Sequence, residues 1–334
     1  MSGTVMIISS YEDPHARAVI EALRARGVGI EVLDLSEFPV ALALSMEFED
    51  GERRFALRRK GGGRLDLGTI GAVWWRRPQA FRLPRPVSDP VHRRFAMSEA
   101  TTAFSGLYQA MGCLWVNDPV RDEAAHHKPW QLALAQRIGM AIPVTLMTND
   151  PEEAREFWRR HEGKVIYKLF RALPDAWRET RRLAETDLPL AESIRLAPVI
   201  FQEWVEAVAE IRVTVIGEEI FAGEADARGG EYPVDFRFNG DLHWSRHTLP
   251  PGVQEQIHAL MRQMGLEYGA IDLRLTPAGE YVFLEINPAG QFLWIELATG
   301  MRIADAVAGR LARGAGAVQE REEPVESGLT PLGQ

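Results

Sequence analysis

Two acidic residues near the end of the chain, and an asparagine beside them, have the types and spacing best suited to chemistry. The apolar runs Gly269-Ala-Ile-Asp272-Leu-Arg-Leu and Tyr281-Val-Phe-Leu-Glu285-Ile-Asn287-Pro288 flank Thr-Pro-Ala-Gly-Glu, a turn signal between two strands. Counting equal steps from a turn centred on Ala278-Gly279 sets Asp272 opposite Glu285. Asn287, two residues on, then projects from the same face. Facing carboxylates repel unless a cation lies between them. Hard oxygens grouped this way suit Mg²⁺, which takes a few carboxylates together with phosphate oxygens and water. The plainer alternative is a solvent-exposed acidic face, which the apolar neighbours argue against.

Three further features suit a nucleotide. Lys168 interrupts the apolar run Val165-Ile-Tyr-Lys-Leu-Phe, where a charge is costly without a partner such as a phosphate; a lysine with a buried stem and a solvated head fits equally well. The run Pro198-Val-Ile-Phe-Gln202-Glu203-Trp204-Val205 leaves a buried strand through a polar-aromatic step, where backbone groups could read a base edge. Glu210 could accept hydrogen bonds from ribose hydroxyls. No Ser-His-Asp or Cys-His arrangement is recognisable. Cys113 reads as a core residue, and His126, His127, His243 and His247 lack a ligand set and read as structural or surface groups.

The chain has 334 residues, 46% of them apolar, with 38 Lys+Arg against 47 Asp+Glu and a single Cys. That length allows two or three domains. One thiol rules out an internal disulfide or a Cys-based zinc site and fits a reducing cytoplasm. No stretch approaches the ~18 apolar residues of a membrane span, and the first residues lack the features of a signal peptide. A net charge of −9 argues against general nucleic-acid binding. Residues 51–94 nevertheless hold twelve Lys/Arg against Glu52, Asp66 and Asp89. This stretch reads as a solvated loop and strand edge, or as a landing site for an acidic partner.

The elements that must position these residues fall into two textures. A β-α-β unit opens the chain: strand Val5–Ser9, a helix capped by Asp13-Pro14 and closed by Gly27, and strand Ile30–Leu35. Such alternation favours a parallel α/β layer. No GxGxxG follows the first strand, and Lys60-Gly61-Gly62-Gly63 lacks the Gly-Lys-Ser/Thr of a P-loop and reads as a hairpin tip. A strand over Ala72–Trp75 and helices over about 90–111 and 122–138 come next, the second stopped by Gly139. From Pro143 short β-rich runs at Val165–Leu169, Val199–Val205, Ile211–Ile216, Ile220–Ala225, Ala270–Leu275 and Tyr281–Ile286 predict mostly antiparallel sheets in an α+β region, completed by helices over about 251–265 and 302–312. Residues 314–334 have almost no apolar periodicity and are expected to be disordered.

Taken together, these residues resemble the ATP-grasp ligases over nearly the whole chain. Lys128 stands where that family has a lysine before its central lobe. Lys168 corresponds to the strand lysine on the phosphates, Gln202-Glu203-Trp204-Val205 to the hinge around adenine, and Glu210 to the acid on the ribose. Asp272, Glu285 and Asn287 correspond to the metal ligands. The longer motifs Val73-Trp-Trp-Arg-Arg-Pro78, Asn117-Asp-Pro, Lys128-Pro-Trp-Gln-Leu-Ala-Leu-Ala-Gln-Arg-Ile-Gly139, Ile142-Pro-Val-Thr-Leu-Met-Thr-Asn149 and Val234-Asp-Phe-Arg237 look like the microviridin-type peptide ligases, or graspetide synthetases, beside the RimK-like branch. One departure is that no Gly-rich phosphate-covering loop follows Lys168. Arg171, Arg178, Arg181 and Arg182 stand there instead, and a solvated charged helix is the simpler account of them.

The resemblance implies an ATP-grasp fold with a pre-ATP-grasp α/β domain over 1–120, a central lobe over 121–200, a C-terminal lobe over 201–313 and a tail over 314–334. It implies ATP and Mg²⁺ as cofactors and a precursor peptide, with a leader and an Asp/Glu/Thr-rich core, as partner to a cytoplasmic homodimer. A side-chain carboxylate of that peptide would be activated as an acyl phosphate, and a Ser/Thr hydroxyl or Lys amine of the same peptide would close an ester or amide ring, the ester being favoured. Arg237 is then expected to touch the phosphate or acyl phosphate, with Arg212 as its rival, and the basic stretch gains a use in holding acidic side chains. Two competing functions are a RimK-like ligase that adds amino acids to a peptide or protein end, and a nucleotide-binding regulator without catalysis.

Overall fold

A computed structural model describes residues 3–85, 87–171, 180–227 and 243–317. It comprises two compact units, Met1–Pro119 with Ala304–Gln334, and Val120–Ile303. The first unit runs β1 (Thr4–Ile8), α1 (Pro14–Arg24), β2 (Ile30–Leu33), β3 (Leu42–Glu49), β4 (Glu52–Arg59), β5 (Arg64–Asp66), β6 (Ile70–Trp75), α2 (Pro90–Ala110) and β7 (Leu114–Val116). Strands β2-β1-β6-β7 form the expected parallel layer, and β3-β4-β5 an antiparallel sheet with Lys60–Gly63 at one of its turns. Asp13 caps α1 by accepting from the His15 and Ala16 amides, which satisfies donors the helix itself cannot. Met6, Ile8 and Val73 share a core with Phe55 and Leu57 of β4 and Phe104 and Leu107 of α2. Each such side chain contributes roughly 1.5–3 kcal/mol by leaving water.

Three residues of the Arg-rich stretch pair with acids outside it. Arg54 pairs with Glu47 and Glu52, Arg59 with Glu31 and Glu37, and buried Arg76 lies 3.2 Å from Asp13. Acids outside the 51–94 window thus meet three of the twelve basic residues, while Arg53, Arg58, Lys60, Arg64, Arg77, Arg82, Arg85, Arg93 and Arg94 remain exposed.

The second unit runs α3 (Pro119–Ala125), α4 (Lys128–Ile138), β8 (Thr145–Thr148), α5 (Pro151–Arg160), β9 (Val165–Lys168), β10 (Arg181–Arg182), β11 (Val199–Glu203), β12 (Ala209–Ile216), β13 (Glu219–Asp226), β14 (Trp244–Arg246), α6 (Pro251–Met264), β15 (Tyr268–Leu275), β16 (Tyr281–Asn287) and α7 (Leu293–Thr299). Two antiparallel sheets result, β10-β9-β11-β8 and β14-β13-β12-β15-β16. The second packs Ile211, Val213, Ile271, Leu273 and Phe283 against α4 and α6. Its other face carries Glu210, Arg212, Asp272 and Arg274, all buried.

Three expectations are corrected. The helix expected over 122–138 is two helices, because Pro129 lacks an amide proton and its ring clashes with the carbonyl four residues back; the break starts α4 at Lys128. Arg181 and Arg182 form a strand paired with Tyr167 and Ile166 rather than a charged helix. The last helix, α8 (Ile303–Ala317), groups with the first unit, not the second. It lies so close to the parallel layer that a Cβ on Gly71 would come within 2.7 Å of the Ala315 Cα. It also runs beyond residue 313, and residues 318–334 lie outside the described residues.

Candidate active site

Asp272 and Glu285 are register partners on β15 and β16, and Asn287 pairs with Ala270. The route to that pairing differs from simple counting. Leu275 faces Tyr281 and Leu273 faces Phe283, so a regular ladder would bring Leu284 opposite Asp272; the register instead shifts between Asp272 and Leu273. The extra residue, Leu284, makes a bulge that moves Glu285 and Asn287 off the core face held by Phe283 and onto the polar face. Past the bulge Ile286 returns to the core.

The two carboxylates do not oppose each other bare. Arg212, the register partner of Asp272 on β12, donates from Nη1 to Asp272 Oδ1 at 2.7 Å and from Nη2 to the Gln291 carbonyl at 2.8 Å. Lys128, at the start of α4, donates from Nζ to Glu285 Oε2 at 2.7 Å, and Asn287 Nδ2 donates to Glu285 Oε1 at 3.2 Å. Burial alone would raise the Glu285 pKa, but Lys128, Lys168 and these hydrogen bonds outweigh it and hold the carboxyl well below the usual range. Lys168 on β9 is lowered to about 8, chiefly by burial and further by Lys128, against the support of Glu285 and Asp272. The loop after β16 closes on Arg212: a Cβ on Gly290 would lie 3.0 Å from Arg212 Nη2, and the Gly290 carbonyl accepts from Tyr268 Oη at 2.8 Å.

One strand step away the polarity is reversed. Glu210 faces Arg274, whose Nε and Nη2 donate to Glu210 Oε1 at 2.9 and 2.6 Å. Arg274 Nη1 donates to the Val205 carbonyl at 2.8 Å, and the guanidinium carbon stands 4.5 Å from the centroid of the Trp204 ring. Arg182 lies over the same ring at 5.2 Å, so Trp204 serves two cations. Around the expected hinge, Gln202 is buried and donates to Thr145 Oγ1, Glu203 Oε1 accepts from the Val144 amide, and the Trp204 amide donates to the Lys164 carbonyl.

Lys128, Lys168, Arg212, Asp272, Glu285 and Asn287 thus form one electrostatically linked group, with Glu210 and the 202–205 segment beside it. Arg237 and Arg178 lie outside the described residues, and Arg171 pairs with Glu123 at 3.0 Å. Of the histidines, His126 sits 3.4 Å from Asp122, His127 contacts the Ala124 carbonyl, His247 bridges Glu224 and Tyr281, and His243 is exposed. Sequence reasoning missed Arg274 and Gln131. Arg274 had a signal, since it stands two residues from Asp272 and must share its face; Gln131, one helical turn after Lys128, is a buried amide on an apolar helix face.

Among the described residues no group of three or more His, Cys, Asp or Glu could hold a metal. Two carboxylates and an amide oxygen are the wrong set for zinc and a fitting partial set for Mg²⁺, which keeps waters and phosphate oxygens as ligands. The two cations resting on these carboxylates show the same demand for positive charge.

Two antiparallel sheets with a lysine at the end of a central strand and paired acids on the opposing hairpin define an ATP-grasp ligase. The MvdD pre-ATP grasp domain family matches residues 4–123. The macrocyclase MdnB from Microcystis aeruginosa MRC is 30% identical, with 92% of this chain and 99% of that one covered, at a TM-score of 0.78. A RiPP-associated ATP-grasp ligase from Chryseobacterium gregarium, in complex with ADP and a leader and core peptide, is 28% identical over 93% of this chain and 97% of that one, with a TM-score of 0.84. The ATP-grasp ligase PsnB, complexed with minimal precursor, Mg and ADP, is 27% identical over 93% and 97% of the two chains at a TM-score of 0.74. A probable alpha-L-glutamate ligase from Pseudoalteromonas translucida (strain TAC 125) is 27% identical over 207 residues, 60% of this chain and 67% of that protein. The chain belongs to the ATP-grasp ligases that mature ribosomally made peptides. No helix among the described residues is long and apolar enough to cross a membrane.

Proposed function

We propose that this protein is an ATP-dependent macrocyclase that joins side chains within a ribosomally made precursor peptide. The observation carrying this reading is the end-to-end likeness, over 92–93% of the chain, to macrocyclases and peptide-bound ATP-grasp ligases. In the reaction the γ-phosphoryl group of ATP passes to a peptide Asp or Glu carboxylate, giving ADP and an acyl phosphate. A hydroxyl or amine of the same peptide attacks that carbonyl, loses its proton and expels phosphate, so each ring removes one water from the peptide. Such chemistry needs positioning and charge neutralisation more than a protein nucleophile.

Each residue has a place in this scheme. Asp272, Glu285 and Asn287 would hold Mg²⁺, which when bound supplies charge neutralisation across the phosphates. Lys128 and Lys168 hold phosphate oxygens, Gln202 to Val205 flank the base, and Glu210 accepts from the ribose while Arg274 holds its carboxyl in place. Arg212 is assigned to the phosphoryl group in transfer; the same role is proposed for Arg237, which lies outside the described residues. The domain divisions proposed are a pre-ATP-grasp domain over 1–120 to which α8 returns, a central lobe over 121–200 and a C-terminal lobe from 201 to the start of α8. The partner is a precursor with a leader and an Asp/Glu/Thr-rich core, the enzyme works as a homodimer in the cytoplasm, and the bond formed is an ester.

The test is incubation with candidate precursor peptides, ATP and Mg²⁺, with products read by mass spectrometry. A loss of one water per ATP consumed supports ring closure, and a mass gain would overturn it in favour of amino-acid addition. Mild alkali then separates esters, which regain the water, from amides, which survive.

A further inference from the structure

The bulged strand β16 is the edge of its sheet; before the bulge its outer side meets the bridging residue Ala141, whose carbonyl accepts from the Phe283 amide at 2.8 Å, and past the bulge its peptide groups still need cover, as natural sheet edges do. At Ile286, between Glu285 and Asn287, one side chain supplies it. Gln131 on α4, only 2% exposed, accepts from the Ile286 amide through Oε1 at 3.1 Å and donates through Nε2 to the Ile286 carbonyl at 2.9 Å. Its second amide hydrogen goes to the Ala125 carbonyl at 2.6 Å. A primary amide offers a donor and an acceptor side by side, as a peptide does, and here it stands in for the missing strand. The opposite orientation of the amide would set its NH₂ against an N–H and its oxygen against two carbonyls, so the hydrogen-bond pattern fixes it.

One turn earlier on the same helix, Lys128 reaches Glu285 at 2.7 Å. Helix α4 therefore grips β16 twice, once by a carboxylate and once by the backbone beside it. The two grips differ in kind. Lys128 occupies the carboxylate and competes with any cation that approaches it, whereas Gln131 leaves all three candidate ligand side chains untouched. The bulge that aims Glu285 and Asn287 is a local irregularity in an edge strand, held on its outer side by Ala141 before the bulge and by Gln131 after it.

We infer that Gln131 is a positioning residue for the divalent cation, locking the β16 backbone so that Glu285 and Asn287 face Asp272 before the ion arrives. The inference rests on the proposed Mg²⁺ role of those three residues. Partners that orient metal ligands typically account for 10–100-fold in metal affinity.

The experiment is calorimetric titration of Mg²⁺ into the full chain saturated with a non-hydrolysable ATP analogue, alongside thermal unfolding. Gln131→Leu, similar in size but unable to pair with Ile286, is expected to weaken Mg²⁺ binding about 10–100-fold. Leu134→Ala, which empties a core position on the same helix, should lower Tm and leave Mg²⁺ affinity unchanged. Gln131→Glu keeps the acceptor but turns an oxygen toward two carbonyls; it should also weaken Mg²⁺, and it is the variant to read if Gln131→Leu does not fold. Wild-type Mg²⁺ affinity in a folded Gln131 variant overturns the positioning role, as does a loss that Leu134→Ala matches. Asp272→Asn and Glu285→Gln enter the same titration: if they too keep wild-type affinity, the metal assignment itself has failed, whereas their loss beside an unaffected Gln131 variant refutes the positioning role alone.

Discussion

Arg212 and Asp272 face each other across adjacent central strands, buried, with guanidinium and carboxylate 2.7 Å apart. With Lys128 on Glu285, this arrangement changes what substitution of the acids should do. Were the acids a bare repulsive pair, removing one would relieve the fold. Here Asp272→Ala strands a buried guanidinium, and breaking one partner of a buried pair typically costs about 3–5 kcal/mol. Asp272→Asn and Glu285→Gln keep the shape and a hydrogen-bond acceptor. We expect both amides to fold, with Tm below wild type because Arg212 and Lys128 lose their counter-charge, and to lose precursor-dependent ATP turnover, and Asp272→Ala to be less stable still than Asp272→Asn by urea denaturation. Wild-type turnover in either amide variant would remove these residues from the reaction.

Arg274 ties three groups of one short segment, the Trp204 ring, the Val205 carbonyl and Glu210, to a strand 64 residues beyond Glu210. Arg274→Ala should cost about 3–5 kcal/mol, because Glu210 is left charged and buried. Arg274→Lys should recover only part of this, having one ammonium where the guanidinium has a fork and a flat face. The ribose role of Glu210 must then be tested as Glu210→Gln, since Glu210→Ala would strand Arg274. The amide variant is expected to weaken ADP binding and leave pyrophosphate binding unchanged; equal losses for both ligands would refute contact with the ribose.

Much of this site was legible because strands write their geometry in period two. Alternation in Gly269–Leu275 placed Asp272 off the core face, and the apolar runs gave six strands of the second unit to within two residues. The Asp272–Glu285 pairing was reached for an incomplete reason, since the three-residue turn sits half a step away from the centre assumed and Leu284 makes up the difference. A bulge leaves no mark in an apolar run such as Val-Phe-Leu, so its position could not be read. The cations on the carboxylates were hidden for another reason: Lys128 and Arg212 meet Glu285 and Asp272 across 157 and 60 residues, and no local pattern encodes such contacts. The short strands β7, β8 and β14 and the docking of α8 depend likewise on distant partners.

Cys113 packs beside the core of the first unit, and burial pushes its thiol up to about 12. The thiolate is the reactive form, so the native protein should resist iodoacetamide at neutral pH and be alkylated once unfolded in urea. Cys113→Ser should then leave ATP turnover unchanged, since the proposed chemistry uses no thiol. Rapid alkylation of the native protein, read by mass spectrometry, would show the side chain to be more open than its packing implies.

Lys168 gives the site a pH dependence with a definite sign. Burial is the largest cause holding it at about 8, and Lys128 adds to the depression. Below that pH the side chain is a buried ammonium, which destabilises the protein; the cost is relieved as pH rises from about 8 toward the ordinary lysine value near 10.4. Nucleotide binding runs the other way, because a phosphate oxygen stabilises the charged form and raises the bound-state pKa. Affinity for ADP should therefore hold below about pH 8 and fall above it, by up to tenfold per unit, until the bound-state pKa is passed. Lys168→Arg, whose guanidinium keeps its proton throughout this range, should flatten the profile even if its absolute affinity is lower, and Lys168→Ala should bind weakly at every pH. Titrations of the three proteins from about pH 7 to 9.5, bracketing the lysine transition, decide the matter: a wild-type profile that stays flat, or one that Lys168→Arg does not alter, would show that Lys168 does not hold the phosphates.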